Sequence, residues 1–356
     1  MFDEVLKEVT GIVSSRFLLN AFFPCLFFWG LLGTVVAVSS GWETTQLILV
    51  WNQQDTTLKA VEIIGFITLV TFSASVLASQ AFAILRFYEG YWNFPFSRVL
   101  RQVGEGWHQT KLDELDIPNR LDRLNQQIQD QQQKLSNSQK RGLKQWRKWR
   151  LVGLENELER VENSQNRLQQ RNYAAYPQPR HRQEIMPTRL GNILKSAELY
   201  PYDRYEIDAV LVWSRLYHVL PERCIQIITE ARSNLDFALA IATLSWIFSL
   251  MSGIWLLSVQ APGWLFLLCF WGGSVMGWLA YQSAVGNAAA YAEQVRVSFD
   301  LYRSELVKQL RLKPAQTPAE EVEQWREIRQ LFYGGQTPST WRYLDPEVKK
   351  EGSQNG

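Results

Sequence analysis

The side chains that could carry out chemistry are few and dispersed. His108, His181 and His218 stand apart from one another in polar segments, and Cys25, Cys224 and Cys269 are equally scattered. A metal site needs nitrogen, sulfur or carboxylate ligands at short recurring spacings, and a nucleophilic centre needs a Ser or Cys with a base elsewhere in the chain. No C-x-x-C pair, H-E-x-x-H, G-x-S-x-G, Walker loop or Gly-rich dinucleotide fingerprint occurs. No catalytic residue, metal ligand or cofactor is expected, and an enzyme ranks third among the possible functions. Each cysteine reads as a small apolar filler. Arg189 and Arg204 are the residues closest to an anion site, but arginines so placed usually pair with neighbours such as Glu198, Asp203 or Asp208.

Two other patterns carry more information. Thr68, Thr71, Ser75 and Ser79 recur at helical spacing within an apolar run, and Ser245, Ser249 and Ser252 do so in another. Such hydroxyl faces either hydrogen-bond between packed helices or line a narrow uncharged pore. Gly273, Gly277, Ala280 and Ala284 make a smooth strip, including a G-x-x-x-G, of the kind that lets helices approach closely. The second pattern is a basic-aromatic patch: Lys140, Arg141, Lys144, Trp146, Arg147, Lys148, Trp149 and Arg150. It is either a solvated helix face whose tryptophans pack on a partner helix or a surface for anionic lipid or an acidic protein. Nucleic acid is disfavoured, because no nucleic-acid-binding motif accompanies the patch.

The elements that position these residues are apolar runs at 17–39, 61–87, 237–257 and 264–281. Crossing a hydrocarbon core takes roughly 20 helical residues. Overall hydrophobic content is 46 % and charged content 20 %, with a formal net charge of +2, but the runs hold almost none of the charge. The expected fold is therefore all-α: a polytopic membrane protein with four transmembrane helices in two hairpins and an extended helical, coiled-coil cytoplasmic domain. The middles of the runs carry no ionisable residue, and Glu62, Arg86 and Asp236 lie near their ends. That argues against proton-coupled transport. The run at 17–39 is longer than a signal-peptide core and follows Asp3, Glu4 and Glu8, so it reads as a retained span.

Basic residues set the expected orientation. The 41–60 loop holds only Lys59, and the 258–263 connection is uncharged. Arg86, Arg98 and Arg101 follow the second run, Arg223 and Arg232 precede the third, and Arg296, Arg303, Lys308, Arg311 and Lys313 follow the fourth. The positive-inside rule puts both termini and the central segment in the cytoplasm, with the chain in the inner (plasma) membrane. Trp42, Tyr88, Tyr91, Trp92 and Trp264 suit the interfaces.

The aqueous parts read as helices. Residues 1–16 form an amphipathic interfacial helix, and Pro24 is a candidate kink in the first span. Within 93–234, a hairpin over 112–172 carries seams at Leu121, Leu124, Ile128 and Leu135 and at Leu151, Leu154, Leu158, Val161 and Leu168, diluted by Gln131 and Gln165. A compact helical unit follows at 187–234, with Thr188 and Asp203 as candidate caps and Pro221 opening a helix that continues into the third span. The fourth span is expected to continue as a stalk of roughly 45 Å before Pro314. Thr317-Pro318-Ala319-Glu320 is a capping box that opens a terminal helix to about Tyr333, and a mobile tail follows. The implied division is 1–16, 17–92, 93–234, 235–285 and 286–356.

Two functions compete. One is a homo-oligomeric, channel-like protein whose pore forms between subunits, lined by the Thr68/Thr71/Ser75/Ser79 face and gated by cytoplasmic helices. The other is a non-conducting membrane-anchored scaffold or sensor that recruits a cytoplasmic protein partner through its helical hairpin. The regular hydroxyl faces favour the first. In both, the partners are the lipid bilayer and, for the first, further copies of the chain.

Overall fold

A computed structural model describes residues 15–41, 49, 51–115, 117–137 and 141–335, with side chains at 15, 114–119, 141 and 164–174 left out of that description. The expected interfacial helix at 1–16 therefore lies almost wholly outside the described residues, as do Trp42, Lys140 and the tail beyond 335. Every regular element among the described residues is helical. Four helices are long and apolar enough to cross a membrane: Leu18–Ser39, Thr56–Ser79, Glu222–Ser258 and Gly263–Gln309. The described residues are thus all-helical, with four candidate membrane-spanning helices. The chain divides into two compact units, an apolar one within Met1–Tyr91 and Ile227–Tyr291 and a polar one within Trp92–Gln226 and Ala292–Gly356.

In the apolar unit, a helical turn at Ser15–Phe17 widens into a π-helical stretch, Leu18–Phe22, before helix α1 (Phe23–Ser39). Pro24 explains the widening. Its ring has no N–H and crowds the preceding turn, and the Phe23 N–H reaches back five residues to the Leu18 carbonyl. The expected kink thus takes the form of a π segment. Helix α2 (Thr56–Ser79) starts where the Asp55 carboxylate accepts from the Thr56 N–H at 2.9 Å.

The second apolar run is not one helix over 61–87, as the sequence implied. It breaks at Gln80 (φ −93°, ψ 4°), and α3 (Ala81–Glu89) follows. The Ser79 hydroxyl bonds the Val76 carbonyl at 2.8 Å, the same acceptor the Gln80 N–H uses. Such competition for one carbonyl bends helices. Gly90, in the left-handed region at φ 101°, ends α3, and the Tyr91 N–H closes the turn on Arg86.

Small residues bring α1 and α2 together. Ala21, Cys25, Val70 and Ala74 are buried as one cluster, and the Trp29 indole donates to the Ser73 hydroxyl at 3.0 Å. A second cluster joins Val35 to Leu256, Leu265 and Cys269. Both cysteines therefore serve as apolar packing groups.

The polar unit contains α4 (Ser97–Leu115), α5 (Ile117–Ser136), α6 (Arg141–Ala175), a 3-10 turn at Pro179–Glu184, α7 (Arg189–Tyr205) and α8 (Ala209–Tyr217). Helices α9 (Glu222–Ser258) and α10 (Gly263–Gln309) each contribute one end to it, and α11 (Pro318–Gly334) completes it. Leu124 and Val161 are buried together between α5 and α6, flanked by Leu121, Leu154 and Leu158. Arg120 pairs with Glu157 at 2.8 Å, and Arg147 donates to the Lys134 carbonyl. Gln165 and Leu168 fall among the undescribed side chains.

Thr188 caps α7, accepting from the Gly191 N–H at 3.0 Å. Asp203 is not a cap, because α7 runs through Pro201 to Tyr205 and ends at Glu206 in the left-handed region. Asp208 takes the capping role instead, at the start of α8. The Thr317 hydroxyl accepts from the Glu320 N–H at 3.2 Å, and the Glu320 carboxylate accepts from the Gln316 N–H at 3.0 Å, so the expected capping box opens α11 with its reciprocal bond one residue before the cap. One close approach requires glycine: a Cβ on Gly104 of α4 would meet the Pro187 carbonyl oxygen at 2.5 Å.

Candidate functional site

The α2 hydroxyls lie on the outside of the apolar unit. Thr68, Thr71, Ser75 and Ser79 are all solvent-exposed in the single chain. Each donates to a carbonyl of its own helix: Thr68 to Ile64 at 2.7 Å, and Thr71 to Ile67, Ser75 to Thr71 and Ser79 to Val76 at 2.8 Å. At 100° per residue the four fall within an arc of about 80°, away from buried Val70 and Ala74. Exposed Ile64 shares that arc, and exposed Phe72 lies about 20° beyond its edge.

The α9 hydroxyls behave differently. Ser249 is buried, donates to the Phe270 carbonyl at 2.6 Å and meets the Ser274 hydroxyl at 2.9 Å. Ser252 is buried and bonds Phe248 of its own helix. This face is helix packing, the commoner of the two readings for such a pattern.

The α10 strip lies against it. A Cβ on Gly273 would stand 3.0 Å from the Ser249 Cβ and 3.2 Å from the Ser245 carbonyl, and one on Gly277 would stand 2.9 Å from the Trp246 ring. Ala284 is fully buried and Ala280 partly so. Gly273 and Gly277 seat α10 against α9 where larger side chains would hold it off.

The basic-aromatic patch lies along α6. Trp146 and Trp149 are 55 % and 73 % exposed, so they do not pack down on α5. Arg150 lies over the Trp146 ring at 5.3 Å, a cation–π contact on a solvated surface. Lys144, Lys148 and Arg150 are exposed beside it, while Arg147 is engaged with Lys134.

Several pairings escaped the sequence. His181 is not isolated: its Nε2 lies 2.6 Å from Asp203, which also pairs with Arg180. His108 is buried, with Nδ1 2.9 Å from the Tyr176 hydroxyl. Burial, with the Arg189 charge as a smaller contribution, pushes its pKa down to about 4. Arg204 lies over the Tyr200 ring at 5.6 Å, while Glu198 pairs with Lys195 rather than with an arginine. Asp300 of α10 accepts from Tyr200 at 2.8 and 2.9 Å and from Tyr205 at 2.8 Å. Arg303 stacks on Tyr205 at 3.8 Å and pairs with Glu321 of α11. Burial, then the bond to Asp300, raise the Tyr205 pKa, so this hydroxyl is a donor rather than a nucleophile.

The apolar unit holds several hollows, two of them of opposite character. One, of about 660 Å³, is lined almost wholly by carbon, from Phe27 and Leu31 of α1 across to Leu268 and Met276 of α10. The other, of about 410 Å³, mixes Arg16, Asn20, Thr229, Arg232, Ser233 and Asp236 with small apolar side chains. Set against protein-family models, curated proteins and solved structures, the chain matches none of them.

Proposed function

We propose that the chain forms a homo-oligomer with a channel-like pore between its copies, lined by the hydroxyl face of α2. The observation that carries this reading is the bareness of α2. Only 11 % of its apolar window is buried, against 39 % for α9. A conduit between copies has to be lined by residues that the single chain leaves uncovered, and Thr68, Thr71, Ser75 and Ser79 meet that condition. Exposed Ile64, on the same face, would supply an apolar constriction. The spans would form two hairpins in the plasma membrane. Both termini, the α5–α6 coiled coil and the gating helices would be cytoplasmic, as the basic flanking residues favour. The test is ion flux from purified full-length protein in liposomes, with Ser75→Cys probed by a thiol reagent in a Cys224→Ser background. Flux that the reagent blocks supports the pore. A monomeric complex that carries no flux under tension, voltage or ligand overturns it.

A second reading keeps a specific observation in its favour. The exposed Trp146 and Trp149, set among Lys144, Lys148 and Arg150, fit an acidic protein surface better than open water. In that reading the spans anchor a scaffold. Crosslinking in cells should recover a partner that is lost when 112–172 is deleted.

A further inference from the structure

We propose that the 410 Å³ cavity of the apolar unit binds the phosphate of an anionic phospholipid headgroup. The cavity sits at the polar flank of two apolar stretches, with Arg16 before the Leu18–Ser39 span and Asp236 directly before the apolar stretch of α9, and Ala81 and Ile84 of α3 line it too. That is headgroup depth, where a ligand with one polar and one apolar end is at hand. The volume lies within the range of small-molecule sites.

The lining matches such a ligand at both ends. Its polar wall carries two guanidinium groups, Arg16 and Arg232, against one carboxylate, Asp236. The excess of one positive charge suits a monoanionic headgroup. The Arg232 Nε donates to both Asp236 oxygens, at 3.0 and 3.1 Å, which leaves its two terminal nitrogens for another acceptor. Arg16 makes no ion pair among the described residues. Asn20 donates to the Ser233 hydroxyl at 2.8 Å, tying together two of the lining residues. Guanidinium groups bind phosphate through paired N–H donors, and the low-dielectric edge of a membrane strengthens the pairing. The rest of the lining, with Leu77 and Leu239, is apolar and would cover the first carbons of the lipid tail. A free phosphate ion would leave that part bare.

The full chain, purified in neutral detergent, would be titrated with phosphatidylglycerol, phosphatidylcholine and inorganic phosphate and read by native mass spectrometry. Phosphatidylglycerol is expected to be retained about tenfold better than phosphatidylcholine, and Arg16→Gln to remove about that factor, the worth of one charge-assisted bond. Asp236→Asn is expected to tighten retention by raising the net charge of the lining, a gain that misfolding cannot produce. Equal retention of the two lipids, or no effect of Arg16→Gln, overturns the proposal. Full displacement of the lipid by an equal concentration of inorganic phosphate also overturns it, and would assign the site to a free anion.

Discussion

Gly273 of α10 faces Ser249 of α9 so closely that a Cβ on the glycine would stand 3.0 Å from the serine Cβ. The Ser245 carbonyl, 3.2 Å away, is backbone and cannot rotate aside. Adding the methyl group therefore pushes two helices apart. Gly273→Ala is expected to destabilise the full chain by about 1–3 kcal/mol. Gly272, with nothing within 4 Å of its Cβ position, is the control. There alanine gains up to about 1 kcal/mol of helix propensity. Thermal melting in detergent separates the two, and equal behaviour would show that the α9–α10 contact is loose.

The Asp300 carboxylate holds two tyrosine hydroxyls 95 and 100 residues away in sequence. Removing it strands two donors in a partly buried place, whereas removing one tyrosine leaves the carboxylate served by the other. Asp300→Ala is expected to cost about 2–4 kcal/mol, and Tyr205→Phe only about 1 kcal/mol. The comparison is made by thermal melting of both variants, with Tyr200→Phe/Tyr205→Phe as the double variant that should approach the Asp300→Ala value.

Features that depend on neighbouring residues were legible in the sequence. The four spans, the Thr188 cap, the Thr317 capping box and the seam at Leu124 and Val161 all follow from local spacing. Pro24 signalled a distortion but not its form, because the Leu18–Phe22 widening depends on how the preceding turn repacks. Asp203 is a common cap residue type, yet α7 absorbs Pro201 within its length and runs on to Tyr205, which leaves Asp203 inside the helix. The Asp300 junction, the His181–Asp203 pair and the mixed cavity beside Arg16 and Arg232 join residues distant in sequence. No periodicity encodes which distant partner a tyrosine or histidine meets.

His108 gives the polar unit an acid sensitivity. Its folded pKa of about 4 lies below the ordinary 6.5, mainly because it is buried and secondarily because Arg189 is near. Between those values the unfolded chain binds more protons than the folded one, so acidification through this window removes stability. The loss is up to about 3 kcal/mol from pH 6.5 down to 4. Glu105 acts in the opposite sense, since burial raises its pKa despite Arg101. His108→Gln isolates the histidine: melting temperatures taken from pH 7 to pH 4 should fall less steeply in the variant than in the parent chain.

The pore and scaffold readings part at α2. The hydroxyls of Thr68, Thr71, Ser75 and Ser79 are exposed and bond carbonyls of their own helix. Intrahelical back-bonding of this kind adds little to stability, and replacing it with a methyl group of similar volume leaves the exposed surface nearly unchanged in shape. The paired variant Thr68→Val/Thr71→Val is therefore expected to melt within about 0.5 kcal/mol of the parent chain, as exposed substitutions usually do. If this face lines a conduit, the same variant removes polar groups that a passing ion or water molecule needs in place of its hydration shell. Liposome flux should then fall severalfold while oligomer size stays constant. If the face meets only lipid tails, neither flux nor assembly should change, and the exposed Trp146 and Trp149 become the place to look for function.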